Sequence, residues 1–444
     1  MQGGAERSGK LGIIFDKQDA HGLSMRRSRC AEHGAVTRVD ASTFCLRQMV
    51  MKLKGNCWLL RLGCREKREG GCALANQTGV LMQGWHRSGL VLLGCAALIV
   101  LVSRLHHTPH KRLAALARSE GTLVVYSVTD SAVARPLIDA FEARYGTRVD
   151  YREMNSMALH RRFLDDARRN APVADVLWSS AMDLQVKLAN DGHAATHLPP
   201  DAPQLPPWMG YQQQVWITSF EPVVFAYNRR LLPARDVPHT RMALRRLLQR
   251  QPARFHGRVA SYDIERSAVG FNLLSQDVRV GRDEAWRLQR ALADVRPSLH
   301  ASSAAMLDEL ASGRTLLAYN VIGSYAATRA ARDPQVGFIH PRDYTLVLGR
   351  LALIPRNAPH PHAARLWLDF MLSEAGQRLL ARAPGTYSVR SFDGQVRDFD
   401  ALSELLGNGF EPIFPARGLL IYLDDVKRKT LLARWRTLFA RASD

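Results

Sequence analysis

From Gly121 onward, short apolar β-branched runs alternate with stretches of helical spacing, and this alternation constrains the chain more than any other feature. Gly121 to Ser127 (GTLVVYS) predicts a buried strand. Ala132 to Tyr145 carries Val133, Leu137, Ile138 and Phe141 on one helical face and stops at Gly146. The pairs repeat as Thr147–Tyr151 with Leu159–Arg169 and as Ala174–Ser180 with Met182–Asn190. Further strands are predicted at Pro222–Tyr227, Arg258–Tyr262, Thr315–Asn320, Gly337–His340 and Thr345–Ile354. Helices are predicted at Met242–Arg250, from Ala268, at Glu284–Ala293 and Ala304–Ala311, and from Tyr325. The later helices are Ala363–Leu372, Glu374–Ala383 and Leu423–Ala440. Such alternation specifies an α/β fold, with a parallel sheet covered by helices on both faces.

The residues before this body read differently. All six cysteines precede residue 96, and no Cys-x-x-Cys pair occurs, so a zinc or thioredoxin-like site has no support. A cysteine-free body suits an oxidising compartment. Residues 1–81 show no sustained periodicity and read as a non-native or disordered extension, with Met82 as the natural start. Residues 82–104 hold Arg87 and then an apolar run from Leu90 to Val102, the layout of a secretory signal. The run is shorter than the roughly 20 residues of a comfortable membrane span. Three fates are open to it: cleavage, lipidation at Cys95 behind Leu92-Leu93-Gly94, or retention as an inner-membrane anchor through residues 89–104. Arg104, Lys111 and Arg112 on its far side run against the positive-inside rule for an exported body. Residues 105–119 read as a linker, and His106, His107 and His110 within it lack the carboxylate or cysteine that a metal site needs.

With 61 Lys and Arg against 41 Asp and Glu, the formal charge is +20. That balance suits an acidic partner: nucleic acid, an anionic membrane, or an anionic small molecule. The charge is scattered, and no finger or aromatic RNA motif accompanies it, so nucleic acid is not expected as a partner. Nucleophile-elbow, P-loop, His-Glu-x-x-His and Gly-x-Gly-x-x-Gly motifs are all missing from the sequence, which points away from an enzyme, a cofactor or a metal.

Several strand ends run into hydroxyl or acidic residues and then a helix: Ser127/Thr129/Asp130/Ser131, Ser179/Ser180, Ser267, Ser302/Ser303 and Ser324. Each can be an ordinary N-cap. Together they can equally line a donor-rich cleft, because ligands of open α/β sheets bind at the carboxyl edge, where helix N-termini favour an anion.

The stretches Gly121–Ser127, Ala174–Gln185 (ADVLWSSAMDLQ), Val224–Asn228 (VFAYN), Leu317–Tyr325 (LAYNVIGSY), Pro341–Val347 (PRDYTLV) and Ala363–Gln377 resemble, in order and spacing, the type II periplasmic solute-binding proteins of ABC transporters. The resemblance covers nearly all of 120–385 and lies with the ferric-iron, phosphonate and phosphoglycerate branch. It implies a two-lobed periplasmic-binding-protein type II fold with crossover hinge strands, best matched by Val223–Tyr227 and Leu348–Ile354. Residues 120–222 then begin lobe 1, 223–349 form lobe 2, and 350–444 return to lobe 1 with the C-terminal helices. It also implies a periplasmic location and an ABC permease as partner, with ligand-driven hinge closure.

Ferric-binding relatives hold iron with adjacent tyrosines. The matching segment here, Tyr319-Asn-Val-Ile-Gly-Ser-Tyr325, separates them, which moves iron to an alternative. Asn320, Ser324 and Tyr325, with Ser127, Thr129, Ser179, Ser180 and Ser267, suit a small anionic ligand, phosphorylated or carboxylated. Asp263 suits ligand hydroxyls and Arg266 a phosphate, and either suits a surface ion pair equally well. The basic tail from Leu419 to Trp435 resembles the phosphoglycerate-transport regulatory branch, which implies a second alternative: a tethered sensor feeding a membrane sensor kinase.

Overall fold

The computed structural model describes residues 110–440, except 393 and 395, together with Lys52–Leu53 and Asn56–Cys57, which pair antiparallel. The chain divides after Val80, and the unit from Leu81 to Asp444 carries the fold. The expectations for 1–81 (that hairpin aside) and for the apolar segment 82–104 lie outside the described residues. Among the described residues, no helix is long and apolar enough to cross a membrane.

Eleven strands form the sheet: β1 (Leu123–Ser127), β2 (Val149–Glu153), β3 (Val176–Ser179), β4 (Gly210–Tyr211), β5 (Val215–Asn228), β6 (Val259–Tyr262), β7 (Ser298–His300), β8 (Leu317–Ile322), β9 (Val336–Ile339), β10 (Thr345–Leu353) and β11 (Phe410–Pro412). Their order is β2-β1-β3-β10-β5-β8-β6-β7, with β9 and β4 on β5 and β11 on β10. The sheet is mixed, not parallel throughout as the alternation suggests. β2, β1 and β3 run parallel to one another, as do β8, β6 and β7, but β10 and β5 join these blocks antiparallel. The physical reason is the crossing: one long strand serves both lobes. Residues 215–222 of β5 pair with β10, and 223–228 pair with β8 and β9, so the partner changes at Pro222, which has no N–H for the ladder. The chain is thus a two-lobed periplasmic-binding-protein type II fold, hinged on β5 and β10.

Close approach at the hinge is enforced by a glycine. A Cβ on Gly323, at the start of the helix after β8, would stand 2.6 Å from the Pro222 carbonyl oxygen.

Helices largely follow the apolar spacing. The first lobe packs Phe141, Leu137 and Ile138 of α1 (Ser131–Tyr145) against Trp367 and Phe370, with the Phe141 and Trp367 rings edge-on at 5.0 Å. Two local readings are corrected. Residues 110–120 are helical where the sequence suggests a linker to 119, because Ala114 and Ala117 fall on one face and are buried. The helices expected from Ala268 and at Glu284–Ala293 run on as one segment, Ala268–Asp294, kinked at Arg282, whose φ of 47° is not helical. The final helix, Asp425–Ala440, buries Leu431, Trp435 and Leu438 against Ile264, Phe271 and Trp286 of the second lobe, while Leu419 just before it packs in the first. The tail therefore touches both lobes rather than returning to the first alone. Its helix reaches the second because its 3–4-spaced apolar residues meet the matching face of Ala268–Asp294.

Candidate functional site

At the carboxyl ends of β1, β3, β6 and β8 the two lobes face each other across a cleft. Val128 and Thr129 of the first lobe meet the helix Gly323–Arg332 of the second. The Tyr325 hydroxyl spans the gap and donates to the Val128 carbonyl at 2.8 Å. Tyr151 braces the same loop, donating to the Thr129 carbonyl at 2.7 Å.

Two chambers flank Tyr325. The larger, about 120 Å³, is lined by Thr129, Asp130, Ser219, Arg329, Arg332 and Arg350 among others. It is roomy enough for water or a small oxyanion group. The smaller, about 50 Å³, is rich in hydroxyls: Ser156, Ser180, Ser302, Ser303 and Tyr262.

The floor of the larger chamber is a buried ion pair. Glu221 on β5 and Arg350 on β10 are both almost wholly buried, and Arg350 reaches both carboxylate oxygens. Ser324 donates to the same carboxylate from lobe 2, and Arg350 donates to Thr129 of lobe 1. One pair in the hinge strands is thereby tied to both lobes. Burial alone would lower the Arg350 pKa, but the facing Glu221 carboxylate reverses this and holds it charged. Arg329 is paired with Asp308. Arg332 has no ion-pair partner among the described residues. Asp130 in the wall has its carboxyl pushed up by burial, then by Glu153, and held down by Arg350 and Arg332. Ser219 Oγ and Ser180 Oγ, both buried, have no protein hydrogen-bond partner.

The residues singled out from sequence separate into groups. Thr129, Ser180, Ser324 and Tyr325 converge on the cleft. Ser127 and Ser179 lie one layer behind, each Oγ accepting from a loop N–H, of Thr129 at 3.0 Å and Ala181 at 3.1 Å. Ser267 caps its helix through Gly270 N–H, as Ser302 does through Ala305 N–H. Asn320 turns away, at φ 57°, and donates to Asp277, which also binds Tyr319 and the buried Arg241 inside lobe 2. Asp263 lies in a separate surface depression with Arg296 and Arg436, accepting from Glu265 and Arg266 N–H groups. Glu221, Arg350, Ser219, Arg329 and Arg332 escaped the sequence reading. A signal for the first two exists: each is a lone charge, of opposite sign, inside an apolar strand.

Three tyrosines stand at the cleft, with phenols of the kind named above for ferric-binding relatives. Tyr151, Tyr262 and Tyr325 all have phenols raised by burial, and each hydroxyl is hydrogen-bonded within the protein. Among the described residues, no group of three or more His, Cys, Asp or Glu could hold a metal ion.

Residues 171–403 match the family model described as bacterial extracellular solute-binding protein. The substrate binding protein of an ABC transporter from Agrobacterium tumefaciens is 35% identical, over 72% of this chain and 94% of that one, with a TM-score of 0.69. AfuA from Actinobacillus pleuropneumoniae, solved with fructose-6-phosphate bound, is 17% identical over 72% of this chain and 99% of its own, TM-score 0.57. Iron-bound HitA from Pseudomonas aeruginosa is 20% identical over the same shares, TM-score 0.56. No curated protein matches the chain. Hinge strands, facing lobes and these similarities lead to one conclusion: the chain belongs to the bacterial extracellular solute-binding proteins, the binding components of ABC transporters.

Proposed function

We propose that this protein captures a small anionic ligand, phosphorylated or carboxylated, between its lobes and presents it to a membrane permease. The single observation that carries the ligand class is the chamber beside Tyr325, where Arg329, Arg332 and Arg350 line the same space as the unpartnered Ser219 hydroxyl. Guanidinium groups bind carboxylate and phosphate oxygens in parallel pairs, and charge-assisted bonds of this kind are about twice as strong as neutral ones. The hydroxyl chamber on the other side of Tyr325 suits a ligand that also carries hydroxyls. Iron is disfavoured by the protonated, internally bonded phenols.

Calorimetry tests the ligand class. Wild type and Arg332→Gln are titrated with inorganic phosphate, phosphorylated polyols, hydroxycarboxylates and ferric citrate. An organic or inorganic anion that binds wild type at least tenfold more tightly than Arg332→Gln supports the proposal. Binding of ferric ion alone, unaffected by Arg332→Gln, overturns it.

A further inference from the structure

The second lobe carries most of the net positive charge of the folded body. Residues 120–222 hold 9 Lys and Arg against 13 Asp and Glu, whereas 223–349 hold 19 Arg against 11 Asp and Glu. The segment 413–440, whose helix packs on the second lobe, adds 6 Lys and Arg against 2 Asp. The cleft uses only a few of these cations.

Part of the excess lines a groove of about 550 Å³ on lobe 2, between the helices Arg241–Arg250, Ala268–Asp294 and Asp425–Ala440. Arg245, Arg287, Arg290 and Arg434 line it, with Asp283 as the lining carboxylate. Glu284 offsets part of the charge, binding Arg245 at 2.6 Å and lying 3.7 Å from Arg287. Arg290 has neither an ion pair nor a hydrogen bond among the described residues. The Arg434 guanidinium carbon lies over Trp286, 4.1 Å from the ring centroid, at the groove wall. Trp286 itself is buried, so the groove offers no aromatic to insert into a bilayer.

We infer that this groove, and the basic face around it, docks the protein on an anionic phospholipid surface through lipid phosphodiesters. Several points favour a membrane over an acidic protein. The positive excess extends over a whole lobe and an added helix rather than over one complementary spot, and an extended sheet of anions suits it. Guanidinium groups grip phosphodiester oxygens in pairs. A solute-binding protein must also reach a permease embedded in such a surface. Without an inserting aromatic, the contact is electrostatic, reversible and sensitive to salt, because screening acts over ~8–10 Å. It orients the molecule with lobe 2 toward the bilayer.

The test is sedimentation of the full chain with vesicles of pure phosphatidylcholine and of equal parts phosphatidylcholine and phosphatidylglycerol. Any attachment through the N-terminal apolar run would contribute to both, so the quantity read is the gain due to phosphatidylglycerol. Each membrane-adjacent cation is worth about fivefold in affinity. The expected result is a gain that falls at least tenfold in the double variant Arg287→Glu/Arg290→Glu and is abolished by high salt. Arg287→Gln/Arg290→Gln should lose less, and it stands in if the reversed variant folds poorly. No phosphatidylglycerol-dependent gain, or an equal gain in both variants, overturns the inference. Intact vesicle binding in the variants with loss of transport would assign the groove to an acidic protein surface instead, and would overturn it too. Ligand titrations at the cleft should be unchanged by these substitutions, so failure here leaves the proposed function untouched.

Discussion

Arg350 meets Glu221 with two hydrogen bonds, Nε to Oε1 at 2.8 Å and Nη2 to Oε2 at 2.9 Å, and both side chains are buried in adjacent hinge strands. Removing one partner strands the other charge in the core. Glu221→Ala should therefore cost about 3–5 kcal/mol of stability, seen as a lower urea midpoint with little change in slope. Replacing both residues together by Met and Leu should cost far less, because no charge is then left uncompensated.

Tyr325 to Val128 is the direct hydrogen bond from lobe 2 to the lobe 1 loop beside both chambers. Tyr325→Phe keeps the ring and removes that bond. The expected loss is about 1 kcal/mol of closure energy, which appears as roughly fivefold weaker anion binding with the melting temperature nearly unchanged. Calorimetry beside a thermal melt reads both. A variant that binds as tightly as wild type would mean that closure does not depend on this bond.

Neighbouring serines are predicted to behave differently. The Ser179 hydroxyl holds the loop by accepting from Ala181 N–H, whereas the Ser180 hydroxyl lines the smaller chamber with no protein partner. Ser179→Ala should lower stability by about 1 kcal/mol. Ser180→Ala should leave stability alone and weaken the binding of hydroxyl-bearing anions, and differential melting with and without ligand separates the two effects.

Burial pushes the Asp183 carboxyl up to about 7 from its ordinary 3.8. The folded protein then holds a proton that the unfolded chain releases, so this residue lowers stability progressively as pH rises from about 4 to about 7, and fully above that. Asp183→Asn cannot ionise, so it should be more stable than wild type at about pH 8, with the advantage gone by about pH 4. His160, pushed down to about 4 by burial, works in the opposite sense between about pH 4 and 6.5, but it is common to both proteins and cancels in the difference. Paired melts across this range provide the measurement. A pH-independent difference would mean that Asp183 does not titrate there.

The fold was legible because each lobe's elements are amphipathic in the ordinary way. The apolar run ending at Ser127 and the stop at Gly146 mark real boundaries, and the strand read to Ser180 ends one residue earlier, at Ser179. What sequence alone did not reveal is strand direction at the hinge: the strand read as Pro222–Tyr227 is the second half of β5, whose partner changes at Pro222. The site was half legible. Thr129, Ser180, Ser324 and Tyr325 sit at strand ends, where a general rule of open sheets directs attention. Arg350 and Glu221 sit mid-strand, and only pairing across 129 residues makes them a site. Asn320 misled because its neighbour Tyr319 and the left-handed turn at 320 commit both side chains to Asp277, inside the lobe.

Register in the first lobe places Trp178 opposite Ala352. Synthesis delivers these two residues far apart in time. The early segment of that lobe emerges with an unfilled sheet edge and stays open until the later strand arrives, after the entire second lobe has been made. Closing so long a loop is slow, since its entropic cost precedes any reward from the contacts. A chain of this design cannot complete its first lobe until residue 353 has been made, so an incomplete sheet edge persists throughout the synthesis of the second.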